Sequence, residues 1–173
     1  MKKKLASILI TNFNKDKYLN GAVRSCLAQN YKKKEILIFD DKSTDNSLKI
    51  LKKYKKIKVF INKKKKFATS PLNQINGIKE LFKKSKGEVI FLLDSDDCFK
   101  KNKIKNIMKL FNQDKKLKFI QDIPYSSKDK RTIKLKYKNH FFSIWPSFYP
   151  TSTISVRKEF FLKFLNYLEP KKF

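Results

Sequence analysis

The sequence predicts an α/β protein built on a doubly wound, mainly parallel sheet with helices on both faces. Four short, nearly continuous apolar runs occur within the first hundred residues, as is typical of strands covered on both faces. Segments with apolar residues at helical spacing separate these runs, and the connections are short. The resulting order β-α-β-α-β-α-β predicts parallel strands joined by right-handed crossovers.

The first predicted strand covers residues 5–10, and the apolar positions of residues 18–27 repeat at the spacing of a helix. Residues 36–39 are predicted to form a second buried strand. A second helix is predicted to begin at Ser43-Thr44-Asp45, because a hydroxyl residue caps a helix and the helix dipole favours an acid in its first turn. Residues 58–61 are a third, shorter strand.

The third helix is predicted to begin at Pro71, whose fixed φ suits a first turn, and to continue to residue 82. Gly87 separates this helix from the strongest predicted strand, residues 88–93. The pattern is less regular after residue 97. Helices are predicted over residues 104–111 and 159–168, and strands over 117–120, 132–137 and 153–156. Residues 141–150 are predicted to form an aromatic loop. We predict one domain over residues 1–173, with a regular half over about 1–112 and a less regular half over about 113–173.

The chain is strongly basic, with 43 Lys and Arg residues, 15 Asp and Glu residues and a formal net charge of +28. We interpret most of the lysines as a solvated surface, since net charge bears on solubility and partners but not on fold. Nucleic-acid binding is not favoured, because the one run of four lysines, at residues 63–66, has no interleaved aromatic residues. A phosphate-bearing substrate or peripheral contact with an anionic membrane would also fit the excess charge.

Neither the cysteines nor the N-terminus indicates export. Cys26 and Cys98 form no metal-binding pattern and no disulfide framework, which fits a reducing compartment. The apolar stretch after the N-terminal lysines is too short for a signal peptide, and no apolar run approaches the ~20 residues of a membrane-spanning helix. We therefore expect a cytoplasmic location, which allows peripheral contact with the inner face of the cell membrane.

Two of the four early strands end in acidic residues, Asp40-Asp41 and Asp94-Ser95-Asp96-Asp97. Ligands of open parallel sheets bind at the carboxyl ends of the strands, beside the point where the strand order reverses. Clustered carboxylates repel one another unless a cation compensates them, and Mg²⁺ or Mn²⁺ bound through oxygen suits this role. For Asp40-Asp41, a turn with a helix cap before Ser43 explains the residues equally well.

P-loop and dinucleotide folds lose their main support, and nucleophilic hydrolysis is not favoured, because their motifs are missing from the sequence. The sequence contains neither G-x-x-x-x-G-K-S/T nor G-x-G-x-x-G, and it has no G-x-S-x-G nucleophile elbow. The single histidine, His140, lies between Asn139 and two phenylalanines and is better explained by packing than by catalysis.

Three ordered segments carry a family resemblance: SILITNFN at 7–14, EILIFDDKSTDNS at 35–47 and GEVIFLLDSDD at 87–97. They resemble family 2 glycosyltransferases, whose GT-A fold has a Rossmann-like parallel sheet, over roughly residues 5–112. The third segment is similar to the strand that leads into the D-x-D metal site of that family. Lys42 stands where the family usually has glycine.

The resemblance implies a donor site and a divalent metal, Mn²⁺ or Mg²⁺. It implies that Thr11 and Asn12 lie against the donor nucleotide, that Asp40 accepts a hydrogen bond from the base, most often uracil, and that Asp41 supports this turn. It assigns ribose and metal binding to three residues: Asp94, Asp96 and Asp97, with Asp96 as the first choice for a direct ligand. The metal would neutralise charge that develops on the nucleoside diphosphate leaving group.

The second half resembles the family less closely. Inverting members need a carboxylate base beside the acceptor hydroxyl, and only Asp122 and Glu159 are weak candidates for it here. The segment WPSFYPTSTIS at residues 145–155 resembles an acceptor-side stretch of some members in which the base follows further downstream. We therefore expect a truncated or split copy, or the donor half of a larger enzyme.

These observations predict an inverting, metal-assisted glycosyltransferase that moves a sugar from a UDP-linked donor to a glycan or lipid-linked acceptor in cell-wall or polysaccharide synthesis. A catalytically incompetent module that binds nucleotide sugars without a general base is the first alternative. A basic protein that binds nucleic acid or a membrane surface is the less favoured second alternative. Turnover of a nucleotide sugar separates the first two hypotheses, and steeply salt-dependent binding without a metal requirement would favour the third.

Overall fold

A computed structural model describes residues 4–64, 67–126, 128–132 and 150–167 of the chain. Its centre is a six-stranded sheet in the order β3-β2-β1-β4-β8-β5, and a two-stranded hairpin pairs β6 with β7. The strands are β1 (Ala6–Asn12), β2 (Lys34–Asp40), β3 (Lys58–Ile61), β4 (Val89–Asp94), β5 (Phe119–Gln121), β6 (Tyr125–Ser126), β7 (Arg131–Thr132) and β8 (Ile154–Arg157). The helices are α1 (Asp16–Leu27), α2 (Ser47–Leu51), α3 (Ser70–Lys84), α4 (Lys103–Gln113) and α5 (Lys158–Tyr167), with a 3-10 turn at Thr151–Thr153.

The predicted mainly parallel sheet is confirmed. The strands β3, β2, β1 and β4 are parallel neighbours, whereas β8 runs antiparallel to both β4 and β5. The chain moves outward from β1 to β3 and then returns to place β4 on the other side of β1, so the strand order reverses between β1 and β4. Such a reversal opens a crevice at the carboxyl ends of the two strands.

Helices cover both faces of the sheet, as the apolar pattern predicts. Buried side chains of α1, α2 and α4 pack with Ala6, Ile8 and Ile10 of β1 on one face. Buried side chains of α3 and α5 pack with Leu9 of β1 on the other face. We call this second face of the sheet the α3 face. Side chains of a strand alternate between the two faces, so the nearly continuous apolar runs arise because both faces are buried.

The helix α2 begins later than the sequence pattern predicts. Ser43 does not cap it, because the backbone N–H of Ser43 donates to Asp40 Oδ1 at 2.9 Å within a separate turn. Lys42 in this turn has a φ of 58°, which is a left-handed backbone conformation that residues other than glycine rarely adopt. The helix instead starts at Ser47, whose N–H donates to Asp45 Oδ1 at 2.9 Å.

The later elements agree in part with the sequence predictions. The helix predicted over 104–111, the strand over 153–156 and the last helix correspond to α4, β8 and α5. The strand predicted over 132–137 is described only at Thr132, and the rest of it lies outside the described residues, as do His140 and the aromatic loop apart from Pro150. Among the described helices, none combines the length and the apolar character needed to cross a membrane.

Candidate functional site

A cleft of about 430 Å³ opens at the carboxyl ends of β1 and β4, where the strand order reverses. Residues at the ends of β1, β2 and β4 form its floor, and the first turn of α3 forms one wall. The lining residues are Thr11, Asn12, Phe13, Lys15, Phe39, Asp41, Ser70, Asn73, Gln74, Asp94, Ser95 and Asp96. Three carboxylates therefore share this cleft, as the acidic strand ends predict.

Strand alternation explains which strand-end residues face α3. Leu9, Leu37 and Leu92 lie in the core of the α3 face. Two residues further along each strand, the same face presents Thr11, Phe39 and Asp94. Thr11 of β1 is in register with both Phe39 and Asp94, so the three strand ends meet at one level of the sheet.

Asn12 and Asp40 form a buried pair beside the cleft. Asn12 Nδ2 donates to Asp40 Oδ2 at 2.8 Å and to Ser43 Oγ at 3.2 Å. Asp40 is fully buried, and its other oxygen accepts the N–H of Ser43, so its carboxylate organises the turn that follows β2. Asp40 is not among the described residues that line the cleft.

Of the two adjacent acids Asp40 and Asp41, it is Asp41 that lines the cleft. Its backbone N–H donates to the carbonyl oxygen of Asn12 at 2.9 Å, which holds it against the end of β1. Asn62 Nδ2 donates to Asp41 Oδ1 at 2.6 Å, and both side chains are buried. The carboxylate is therefore held rigidly at the edge of the cleft.

Asp94 ends β4 in a half-buried position. Gln74 Nε2 of α3 donates to Asp94 Oδ1 at 2.6 Å, and the backbone N–H of Asp94 donates to Ser152 Oγ at 2.9 Å. Burial, with smaller contributions from the charges of Asp97 and Asp96, raises the pKa of Asp94 to about 6. The ionised form of Asp94 is therefore less favourable than that of a solvated carboxylate, and a nearby positive charge would stabilise it.

Asp96 is paired with a lysine across the cleft. Lys15 Nζ, from the residue before α1, lies 2.7 Å from Asp96 Oδ2, and both side chains line the cleft. The hydrogen bond and the charge of Asp96 raise the pKa of Lys15. Asp97 is placed differently: its backbone N–H donates to the carbonyl oxygen of Asp94 in a turn, and it is not among the described residues that line the cleft.

The structure thus brings together two of the three predicted metal ligands, Asp94 and Asp96. Within the described part of the chain, no three His, Cys, Asp or Glu side chains converge into a ready-made metal site. Mg²⁺ is commonly bound by only one or two protein carboxylates together with substrate phosphates and water. The donor chemistry of the pair therefore fits a divalent ion that arrives with a phosphate ligand.

Several polar residues of the cleft were not predicted from the sequence, among them Lys15, Asn73 and Gln74. No local sequence pattern distinguishes Lys15 from the many other lysines, and no motif marks Gln74 as a site residue. The side chain of Asn73 accepts the backbone N–H of Phe67 at 2.8 Å and donates to the carbonyl oxygen of Phe67 at 2.9 Å. Asn73 thereby fixes the chain that leads into α3.

The two candidates for a catalytic base lie elsewhere in the described structure. Asp122 Oδ1 is 2.5 Å from Nζ of Lys103, whose pKa is lowered by burial and partly restored by this carboxylate. Glu159 is exposed on the first turn of α5 and forms a 3.2 Å ion pair with Lys118, which lowers the pKa of the glutamate. Neither carboxylate is among the described residues that line the cleft.

Gly77 provides close contact between α3 and the floor of the cleft. A Cβ atom at this position would lie 2.8 Å from Cδ1 of the buried Phe39 ring and 3.1 Å from Cγ2 of Thr11. We expect Gly77→Ala to lower the free energy of unfolding by about 1–2 kcal/mol, because overpacking exceeds the gain of ~1 kcal/mol in helix propensity. Urea unfolding of the purified chain measures this difference.

Gly21→Ala in α1 is the matched control. Its added Cβ would meet Cys98 Sγ at 3.5 Å, which is an ordinary van der Waals contact, so we expect a stabilisation of about 0.5–1 kcal/mol. A Gly77→Ala variant as stable as Gly21→Ala would contradict the proposed close packing of α3 on Phe39.

The sheet is mainly parallel, its strand order reverses beside an acidic cleft, and two antiparallel strands lie beyond β4. This arrangement defines an α/β protein of the GT-A type. The family model described as "Glycosyl transferase family 2" matches residues 7–165. The chain therefore belongs to this family, as its strand-end motifs predict.

Comparisons with individual proteins agree with this assignment. The chain is 34% identical over 125 residues to the Escherichia coli protein WfaP, named as a UDP-Glc:alpha-D-GlcNAc-diphosphoundecaprenol beta-1,3-glucosyltransferase, with 72% of this chain and 48% of WfaP covered. The crystal structure of Staphylococcus aureus TarS residues 1–349 with UDP has a TM-score of 0.70 at 19% identity, covering 92% of this chain and 48% of TarS 1–349. The mannosyltransferase PcManGT of Pyrobaculum calidifontis, in complex with GDP-Man and Mn²⁺, has a TM-score of 0.68 at 13% identity, covering 95% of this chain and 47% of that protein. The chain spans less than half the length of the curated relatives it matches.

Proposed function

We propose that the cleft binds the nucleoside diphosphate part of a nucleotide-sugar donor, and that the protein transfers the sugar to a glycan or lipid-linked acceptor. The observation that carries this proposal is the convergence of Asp41, Asp94 and Asp96 in one cleft at the strand-order reversal of a family 2 chain. The relatives support a donor of this class, since WfaP is named for UDP-Glc and the TarS structure contains UDP.

The role of base recognition belongs to Asp41 in this proposal rather than to Asp40. Both oxygens of Asp40 accept hydrogen bonds from Asn12 and Ser43, whereas Asp41 lines the cleft. A carboxylate at this edge would accept the imide N–H of a uracil ring. Phe39 offers an apolar surface beside it for the face of the ring.

The proposed cofactor is Mn²⁺ or Mg²⁺, held by Asp94 and Asp96. When bound, the ion would neutralise negative charge on the diphosphate as the sugar departs. Gln74 orients the Asp94 carboxylate through its 2.6 Å hydrogen bond, and the backbone contact with Ser152 holds the end of β4 in place. The structural neighbour PcManGT is described in complex with GDP-Man and Mn²⁺, which supports a divalent ion as the cofactor of a nucleotide-sugar site.

Inversion at the anomeric carbon is also part of the proposal. Inversion of an α-linked sugar nucleotide yields a β-linked product, and the name of WfaP specifies a beta-1,3 linkage. An inverting transfer needs a base within about 2.6–3.2 Å of the acceptor hydroxyl. Asp122 and Glu159 are engaged with Lys103 and Lys118 outside the described lining of the cleft, so neither is assigned this role.

Donor binding without transfer is the second candidate function. It is favoured by a specific observation: the carboxylates among the described lining residues, Asp41, Asp94 and Asp96, are all assigned to donor or metal. The two candidates are separated by incubating the chain with radiolabelled UDP-sugars, Mn²⁺ and lipid-linked or cell-wall acceptors. Labelled product identifies a complete transferase, and donor binding without product identifies a donor-binding module.

The base-recognition role makes a testable prediction for Asp41→Asn. We expect UDP binding to weaken about 10-fold while binding of inorganic pyrophosphate changes less than 2-fold, because a charge-assisted hydrogen bond to the base contributes about 1.5–3 kcal/mol. Isothermal titration calorimetry in the presence of Mn²⁺ measures both affinities.

Glu88→Gln is the control, because Glu88 lies at the opposite end of β4 and is paired with Lys4 at the surface. It should leave both affinities unchanged. An equal loss of UDP and pyrophosphate binding in Asp41→Asn would show that Asp41 only supports the turn after β2.

A further inference from the structure

Lys15 reaches across the mouth of the cleft from a fixed backbone position. Its carbonyl oxygen accepts the N–H groups of Tyr18 and Leu19 at 3.0 and 2.9 Å, which anchors it at the start of α1. Its ammonium group lies 2.7 Å from Asp96 Oδ2, although the two residues are 81 positions apart. This ion pair therefore connects the loop after β1 to the loop after β4 within the lining of the proposed donor site.

Lys15 Nζ donates to Asp96 Oδ2, and a divalent ion that coordinates this oxygen would place a second positive charge close to the ammonium group. A Mg²⁺ ligand oxygen lies about 2.0–2.1 Å from the ion, and a lysine ammonium hydrogen-bonded to that oxygen would be repelled at this range. Lys15 and a metal that takes Oδ2 therefore compete for this oxygen of Asp96. The pair is open to such an exchange, since the Lys15 and Asp96 side chains are 43% and 40% exposed and exposed ion pairs are weak.

The displaced ammonium group has a natural acceptor in the same cleft. Lysine carries a compact charge on a flexible four-carbon stem, which allows it to change partners without backbone movement. A bound diphosphate would bring phosphate oxygens into the space that Lys15 shares with Asp94 and Asp96. An ammonium group that leaves the Asp96 carboxylate would therefore lie within reach of the phosphate oxygens of the diphosphate.

We propose that Lys15 is an internal counter-cation of the donor site, which pairs with Asp96 in the empty cleft and transfers to the donor diphosphate when the metal takes Asp96. This inference rests on the proposed function and adds a residue and a binding sequence to it. It follows that Mn²⁺ alone binds weakly, because it must displace Lys15 without offering a new partner. Mn²⁺ and UDP together bind cooperatively, because the diphosphate accepts the displaced lysine.

The test compares Lys15→Met with Lys17→Met, which changes an exposed lysine in the first turn of α1. Electron paramagnetic resonance of free Mn²⁺ measures the binding of the metal alone, and calorimetry measures UDP in the presence and absence of Mn²⁺. For Lys15→Met we expect Mn²⁺ alone to bind about 2- to 5-fold more tightly and UDP with Mn²⁺ to bind about 2- to 5-fold more weakly, the range typical of a single exposed charge contact. Lys17→Met should match the unmodified chain, and thermal unfolding of both variants checks that the fold is retained.

Opposite changes in the two affinities would support the counter-cation role. Unchanged affinities in Lys15→Met, or equal weakening of both, would overturn it while leaving the proposed function in place. Equal binding of UDP with and without Mn²⁺ by the unmodified chain would also overturn it, since no exchange at Asp96 would then be needed. Failure of the unmodified chain to bind UDP under any condition would overturn the proposed function itself and this inference with it.

Discussion

Replacing Arg157 by methionine should lower the free energy of unfolding by about 3 kcal/mol, because three carbonyl groups would lose a charged donor. Arg157 lies on β8 and is 7% exposed. Its Nη2 donates to the carbonyl oxygens of Phe111 and Asp114 at 2.6 and 3.0 Å, and its Nε donates to that of Leu117 at 2.7 Å. These carbonyls belong to the end of α4 and the segment after it, where a helix dipole favours a positive charge.

Methionine keeps much of the apolar volume but offers no donor, so the variant isolates the hydrogen bonds from the packing. Urea unfolding followed by circular dichroism measures the loss. Arg24→Met is the control, because Arg24 is exposed in the last turn of α1, and it should change stability by less than about 0.5 kcal/mol. A loss below about 1 kcal/mol for Arg157→Met would show that water replaces the arginine at the end of α4.

Asp94→Asn should change stability and donor binding in opposite directions. Burial, then the charges of Asp97 and Asp96, raise the pKa of Asp94 from 3.8 to about 6, so the folded chain without ligand is destabilised by ionising this group. The neutral amide removes that cost, and we expect a stabilisation of about 2 kcal/mol at pH 8. UDP binding with Mn²⁺ should fall at least 10-fold, because a proposed metal ligand loses its charge.

The pH dependence has a definite sign. Below pH 4 the Asp94 carboxyl is protonated in the folded chain and increasingly so in the unfolded chain, so the stabilisation by Asp94→Asn should nearly vanish. It should grow as the pH rises from 4 to 6 and stay constant above this range. Chemical unfolding at pH 4 and pH 8 without ligand measures the difference.

Glu88→Gln is again the control, since it removes an exposed carboxylate from the other end of the β4 region. It should show neither the stabilisation nor the loss of UDP binding. An Asp94→Asn variant that is equally stable at both pH values relative to the unmodified chain would contradict the electrostatic cost assigned to Asp94.

The sequence alone determined the sheet and the general position of the site. Each of the first four apolar runs is long enough for one buried strand and is separated from the next by a helix-forming segment, so parallel pairing was the consistent solution. Acidic residues directly after β2 and β4 then had to meet at one edge, because the carboxyl ends of parallel strands share that edge. These conclusions depend on periodicity and adjacency, which are local properties of a chain.

Tertiary structure decided which of these residues face the cleft. Asp40 and Asp41 are adjacent and chemically identical, but the pairing of β1 with β2 places Asp40 in register with the buried Asn12, which binds its carboxylate, whereas Asp41 follows the strand and lines the cleft. The Lys15–Asp96 pair spans 81 residues and the Arg157 contacts span up to 46, so no local pattern marks either lysine or arginine among 43 basic residues. Long-range pairing of charges is decided by how the elements pack, because each charged side chain could meet many partners until the sheet and helices fix its position.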